Sequence, residues 1–192
     1  MRQIVIIFIL IFKITTLSYS QNIFGGNNKQ KTGYNISGEI IGMQDSSIML
    51  AYYFGGKQYA KDTAKVVDGR FVFTGAEELL GGMYLIVLPN QQYFDIIISE
   101  QNFSFSTNIN NLVENMKFKN SKENPPFYEY LNFIVKMQGE VTPLRKQIEE
   151  SESKIKKEEL QARVNTIDKT VREYRADFLN KHPNIFFSNI VK

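Results

Sequence analysis

The chain has 192 residues, of which 43% are hydrophobic, with no cysteine, one histidine and a formal net charge of +3. Without cysteine it has no disulfide and no thiol chemistry of its own. With no His/Cys/carboxylate run at ligand spacing, it presents no metal site in its sequence. Lys154, Lys156 and Lys157 interleave with Glu152, Glu158 and Glu159. That is the pattern of a solvated helix surface, not the basic, aromatic-rich footprint of a nucleic-acid binder.

The start of the chain reads as a secretory signal peptide over residues 1–20. Arg2 supplies the positive end, Ile4 to Phe12 is an unbroken apolar run, and Ser18-Tyr19-Ser20 places small residues for cleavage after Ser20. Lys13 interrupts the run well short of the roughly 20 apolar residues of a membrane span. Lipid attachment is excluded, because it needs a cysteine. Cleavage would remove Arg2 and Lys13 and no acid, lowering the charge from +3 to +1. The expected location is therefore the periplasm or cell envelope, with no membrane span after processing. Residues 21–32 are polar and Gly/Asn-rich and read as a flexible leader.

From residue 33 to 118 the pattern is β. Strands are expected at 34–41, 47–53, 58–67, 70–74, 82–88, 93–99 and 102–106. Turn signals separate them at Gly42 and Asp45, Gly55-Gly56, Asp68-Gly69, Gly81-Gly82 and Pro89-Asn90. About seven short strands with regular turns predict an antiparallel sandwich or open barrel. Asp68-Gly69 lies between two β-rich runs and predicts a two-residue type I′ hairpin, with Phe71 and Phe73 on one face of the second strand. Ile96-Ile97-Ile98 predicts a strand covered on both faces.

Residues 119–192 change character: strand formers give way to Glu, Lys, Gln and spaced aliphatics. Asn124-Pro125-Pro126 marks the boundary, and Phe127, Tyr130, Leu131 and Ile134 recur at helical spacing. Gly139 suggests a stop and Thr142-Pro143 a restart, with Thr142 as N-cap. Leu160, Val164, Ile167, Val171, Tyr174 and Phe178 form a second amphipathic series. Ile148 and Ile155 fall out of phase with it, so a kink or hairpin turn is expected within residues 151–157. Pro183 ends that helix near Lys181. The apolar tail containing Ile185, Phe186, Ile190 and Val191 either docks on the core or leads into a further domain.

No residue set has the makings of a catalytic centre. His182, the sole histidine, lies beside Pro183 at a helix end and suits a capping or surface role, since a histidine base needs an oriented partner. Asp45 and Asp68 are explained by turn chemistry, and Asp62 and Asp95 are scattered among strands. Gly55-Gly56 and Gly81-Gly82 do not precede a helix in a nucleotide-binding pattern, so no cofactor is implied. Tyr52, Tyr53, Phe54 and Tyr59 cluster about one loop. They serve either as cross-strand packing or as a partner-binding surface at the end of a sandwich. Asp62-Thr63-Ala64 is similar to an acceptor motif for O-linked glycans in envelope proteins. Asn35-Ile36-Ser37 and Asn102-Phe103-Ser104 fit the Asn-linked sequon but lie in expected strands.

Tyr34-Asn35-Ile36-Ser37-Gly38, then Leu50, then Asp62-Thr63 leading to Asp68-Gly69-Arg70-Phe71-Val72-Phe73-Thr74-Gly75, with Tyr84-Leu85 and Phe94 beyond, carry a family resemblance. This β region resembles an N-terminal β-sandwich domain of unknown function in secreted proteins of Gram-negative bacteria, commonly followed by a thioredoxin-like domain. The helical segment ending His182-Pro183-Asn184 resembles the linker between the two. The resemblance implies the non-catalytic front of an exported thiol:disulfide oxidoreductase, whose chemistry belongs to a Cys-x-x-Cys dithiol that this chain lacks. Its expected role is to bind a protein partner, to dimerise, or to hold a catalytic domain beyond Lys192. The alternative is a stand-alone envelope binding protein. In either reading the chain itself is not an enzyme.

Overall fold

The computed structural model, which describes residues 33–192, contains eight strands; the expected signal peptide and leader lie outside these residues. The strands are β1 (Tyr34–Ile41), β2 (Ser46–Phe54), β3 (Lys57–Val66), β4 (Arg70–Gly75), β5 (Gly82–Val87), β6 (Tyr93–Ile98), β7 (Asn102–Asn108) and β8 (Lys117–Lys119). They form two four-stranded sheets, β4-β1-β7-β8 and β3-β2-β5-β6, packed face to face as a sandwich that does not close into a barrel. Residues alternate across each strand, so one set from each sheet meets in the middle. Ile36, Ile40, Phe71, Phe73, Phe103 and Phe105 come from the first sheet, and Ile48, Leu50, Ile86, Phe94, Ile96 and Ile98 from the second. Gly38 leaves room for this core, since a Cβ there would lie 2.2 Å from the Phe71 ring.

Two features depart from the expected antiparallel sandwich or open barrel of about seven strands. An eighth strand, β8, pairs with β7 over Ser104–Ser106. It is three residues long with lysine at both ends, too short to show an alternating pattern. More consequentially, β1 and β7 run parallel, Asn35 opposite Asn102 through Ile41 opposite Asn108. A parallel pair needs a long crossover. Here β2 to β6 supply it, so no turn sequence announces the pairing.

The Asp68-Gly69 turn forms, with Asp68 at φ 50° and Gly69 at φ 74° and reciprocal backbone bonds between Val67 and Arg70. It does not make a hairpin of β3 and β4. After one bridge the strands part, β3 to pair with β2 and β4 to pair with β1. The turn is thus a corner between sheets. Asp45 holds it by accepting the Asp68 N–H at 2.9 Å. Gly69 also brings its carbonyl to the Ile40 N–H at 2.8 Å, where a Cβ would stand 2.6 Å from the Ile40 oxygen.

Three helices follow: α1 (Asn124–Glu150), α2 (Lys154–Lys181) and α3 (Phe186–Val191). The expected stop at Gly139 and restart at Thr142 do not occur. α1 runs through both, and Pro143 lies inside it. The Thr142 hydroxyl donates to the Gln138 carbonyl at 2.7 Å instead of capping a new helix. An interior proline costs about 3 kcal/mol, which is offset here by packing of Val141, Leu144 and Ile148 against Leu160, Val164 and Ile167 of α2. The turn between α1 and α2 spans residues 151–153, and the Ser153 hydroxyl caps α2 by accepting the Lys156 N–H at 3.4 Å. Ile148 packs between the helices, and Ile155 is exposed. Among the described residues, no helix is long and apolar enough to cross a membrane.

The helical hairpin is tied to the second sheet through β6. Asn124 is fully buried at the start of α1. Its side-chain amide accepts the Ile97 N–H at 2.8 Å and donates to the Ile97 carbonyl at 2.7 Å. The Tyr128 hydroxyl donates to the Asp95 carbonyl at 2.8 Å. β6 is an edge strand, and α1 thereby satisfies edge groups that would otherwise offer a pairing template. Ile97 then packs with Phe127, Tyr128, Phe178 and Phe187 in a second core, which accounts for the three-isoleucine run.

Candidate functional site

The β2–β3 hairpin pairs Tyr52 with Tyr59, Tyr53 with Gln58 and Phe54 with Lys57 around the Gly55-Gly56 turn. The four aromatic residues singled out in the sequence are divided by strand alternation. Tyr52, Phe54 and Tyr59 share the inner face where it extends past the sandwich. Tyr59 stacks on Tyr52 with centroids 5.7 Å apart, and Phe54 meets Tyr59 edge-on at 6.5 Å. Tyr52 also contacts Tyr84 at 6.0 Å and joins the core. Tyr52 is therefore the packing member of the set, while Phe54 and Tyr59 remain 72% and 41% exposed. Tyr53 lies on the opposite, outer face, half exposed, its hydroxyl accepting from Gln58 Nε2 at 2.9 Å.

That outer face carries residues the sequence reading did not group. β5 and β6 place Leu85 opposite Asp95 and Val87 opposite Tyr93, and β2 places Ala51 opposite Leu85. Asp95, Leu85 and Ala51 thus form a row across three strands, with Tyr93 on one side of it and Tyr53 on the other. Leu85 and Ala51 are buried, and Tyr93 is half exposed. Burial lifts the Asp95 carboxyl from 3.8 to about 6, and among the described residues neither a hydrogen bond nor an ion pair to its carboxylate offsets that burial. Tyr93 is raised as well, first by burial and then by the neighbouring Tyr53 hydroxyl and Asp95. Tyr128 is raised by burial and by Asp95. The period-two spacing of Tyr93 and Asp95 was a usable signal for this group. Its link to Tyr53 needed the order of three strands.

The remaining candidates have structural employment. Asp62 accepts from the Tyr34 hydroxyl at 2.9 Å, joining the two sheets, and from its neighbour Thr63 N–H at 2.7 Å. Burial, then this bond, raises Tyr34. Asp62-Thr63-Ala64 therefore lies in edge strand β3 with its carboxylate engaged. Asn35 and Asn102 face each other in β1 and β7. His182 caps α2, its N–H donating to the Phe178 carbonyl at 2.9 Å and its ring lying 4.9 Å from that of Phe178. Its Nε2 is buried without a hydrogen-bond partner among the described residues. Of the tail residues, Ile185 and Val191 pack against the second core beside the buried Phe187, while Phe186 and Ile190 are exposed. Among the described residues, no group of three or more His, Asp or Glu side chains is placed to hold a metal ion.

Residues 34–127 match the family model described as a domain of unknown function (DUF4369). The match runs from the first residue of β1 to the first turn of α1. The matched span takes in both sheets and ends three residues after the Asn124 clamp. No curated protein and no solved structure matches the chain.

Proposed function

We propose that this chain is a non-catalytic module of an exported thioredoxin-like thiol:disulfide oxidoreductase, acting in the periplasm or cell envelope to bind a protein partner or position the catalytic domain. The oxidoreductase context rests on the sequence resemblance. The binding role rests on one structural observation: the β2–β3 hairpin presents Tyr53, Phe54 and Tyr59 to solvent at the end of the sandwich. Grouped exposed aromatics on a small domain mark an interaction surface, because the molecule loses apolar burial by keeping them out. The chain has no cysteine with which to perform thiol chemistry. The dithiol is assigned to another domain.

Two measurements test this. The first is the intact mass of the native protein recovered from the envelope fraction of its own cell. A mass larger by a thioredoxin-sized domain supports the reading. A mass matching residues 21–192 overturns the oxidoreductase context and leaves a stand-alone binding protein. The second replaces Phe54 with a photo-crosslinking phenylalanine analogue in the same cell. An adduct at Phe54 and none at exposed Leu80 supports the hairpin tip as the contact; equal labelling at both positions overturns it.

A further inference from the structure

We propose that the outer face of the first sheet is a cradle for an extended acidic segment of a protein partner, with Lys117 and Lys119 holding its carboxylates and Val67 and Val72 taking its aliphatic side chains. This face belongs to a different sheet from the aromatic hairpin, and the cradle stands on the geometry of that face alone.

Strand register builds the face from two adjoining rows. Val72, Ser37, Ser104 and Lys119 stand side by side on β4, β1, β7 and β8, and Arg70, Glu39, Ser106 and Lys117 form the next row. Together with Lys65 and Val67, at the corner leading into β4, they line an open groove of ≈ 780 Å³, a volume within the range of ligand clefts. Its floor is serine. Ser37, Ser104 and Ser106 are partly exposed, and among the described residues their hydroxyls make no hydrogen bond. One wall is β8, where Lys117 and Lys119 are both exposed. Val67 and Val72 form the opposite wall, 46% and 49% exposed.

Charge selects an anion. Among the described residues Glu39 is the single acid lining the groove, and Arg70 Nε already lies 2.9 Å from its carboxylate. Lys65, Lys117 and Lys119 form no ion pair among the described residues. Four cations against one carboxylate give the groove a net +3, on a chain whose total after the expected cleavage is +1. The remainder of the mature chain is net acidic, so the positive charge is gathered on this face. A surface serving solubility alone intersperses the two signs. Shape narrows the anion to a peptide. Lys117 and Lys119 are two residues apart on one strand, which spaces their stems by about 7 Å. An extended peptide repeats its alternate side chains at the same distance and sends the intervening ones to the opposite side. Carboxylates at every second position then meet the lysines, aliphatic residues between them meet the valines, and the serine hydroxyls face the peptide backbone as donors and acceptors. Phe71, Phe105 and Phe118 pack into the core, which leaves the groove without the aromatic platform that stacks the bases of a nucleic acid.

The test is an NMR titration of the mature full chain at pH 7.5 and low salt with the capped peptide Glu-Val-Glu-Val-Glu and its glutamine counterpart, which keeps the shape and loses the charge. Saturable amide shifts at Ser37, Ser104, Ser106, Lys117 and Lys119 are expected with the glutamate peptide, and binding at least tenfold weaker with the glutamine one. The double variant Lys117→Gln/Lys119→Gln should weaken binding at least tenfold. Ser104→Leu, which fills the floor at unchanged charge, should do the same. Lys156→Gln/Lys157→Gln removes equal charge from exposed positions of α2 and should change binding less than twofold. No saturable shift, an equal response to the glutamine peptide, or equal losses from the two double variants overturns the cradle. Dextran sulfate that binds the same residues more tightly than the peptide, and is blocked by Ser104→Leu, assigns the groove to an anionic polysaccharide and overturns the peptide. Failure here leaves the hairpin reading untouched, since cross-linking at Phe54 reports on the other sheet.

Discussion

The two sheets of the sandwich share one core but treat their outer faces in opposite ways. On β4-β1-β7-β8 the outward residues include Ser37, Glu39, Arg70, Val72, Ser104, Ser106, Lys117 and Lys119. They meet water directly, and Glu39 and Arg70 pair across strands at 2.9 Å. On β3-β2-β5-β6 the outward residues are mostly apolar. Helices roof the Ile97 and Met83 end, and Tyr53 and Tyr93 stand half exposed on either side of the Asp95 row. A sheet with a polar outer face needs nothing more. An apolar one requires cover, and here the cover accounts for only part of the face. The difference locates the role of the helical segment as cover for the apolar face.

Substitutions on the two faces test that contrast. The largest effect is expected from Asn124→Ala. It leaves the Ile97 N–H and carbonyl buried without partners, at about 1–3 kcal/mol for each group. Urea unfolding should show a loss of about 4 kcal/mol. Hydrogen exchange should rise along β6 and the start of α1 before it rises in β1. A loss below 1 kcal/mol would mean that the clamp does not hold the helices to the sheet.

Placing threonine on each face comes next. Ile97→Thr creates a small cavity and buries a hydroxyl under α1, and should cost about 3 kcal/mol. Val72→Thr, on the exposed face of β4, should change stability by no more than about 0.5 kcal/mol. Equal costs measured in the same denaturant series would erase the distinction between the faces.

A smaller effect follows from Asp95, and it depends on pH. Its carboxyl titrates near 6 in the folded chain against 3.8 when unfolded. Between those values the folded state holds more protons than the unfolded state, so stability falls as pH rises. The favourable contribution is complete below about pH 4 and is lost as pH rises through about 6. Asp95→Asn should therefore stabilise the chain by about 2 kcal/mol at pH 7.5 and by almost nothing at pH 4. Thermal melts at the two pH values check this. A variant equally stable or less stable at pH 7.5 would mean that the carboxylate already has its counter-charge.

Much of the architecture was legible in the residues. Alternation marked seven strands, the composition change at Asn124-Pro125-Pro126 marked the start of the helices, and the paired amphipathic series marked their hairpin. The three-isoleucine run announced a covered strand, as Ile97 under α1 proves to be. Each of these is a local property: a period, a turn pair or a breaker acts within a few residues. Local signals also misled. Gly139 and Thr142-Pro143 read as a break, yet α1 continues because packing against α2 outweighs an interior proline. Within the candidate surface, Tyr52, Tyr53, Phe54 and Tyr59 could be grouped by proximity in sequence, but alternation sends Tyr53 to the other face.

The sequence by itself determined the α+β class, the two-residue turn at Asp68-Gly69, the lack of thiol chemistry, and which residues of each strand face the same way. Only the tertiary structure decided that β1 and β7 pair in parallel, that β3 and β4 part into different sheets, and that Asn124 serves as a strand partner for β6. It likewise brought Tyr53, Tyr93 and Asp95 to one surface. The physical reason is range. Backbone preference and side-chain period act over one turn or one strand. Strand order and the burial of an unpaired carboxylate depend on residues tens of positions apart, which meet only when the whole core closes.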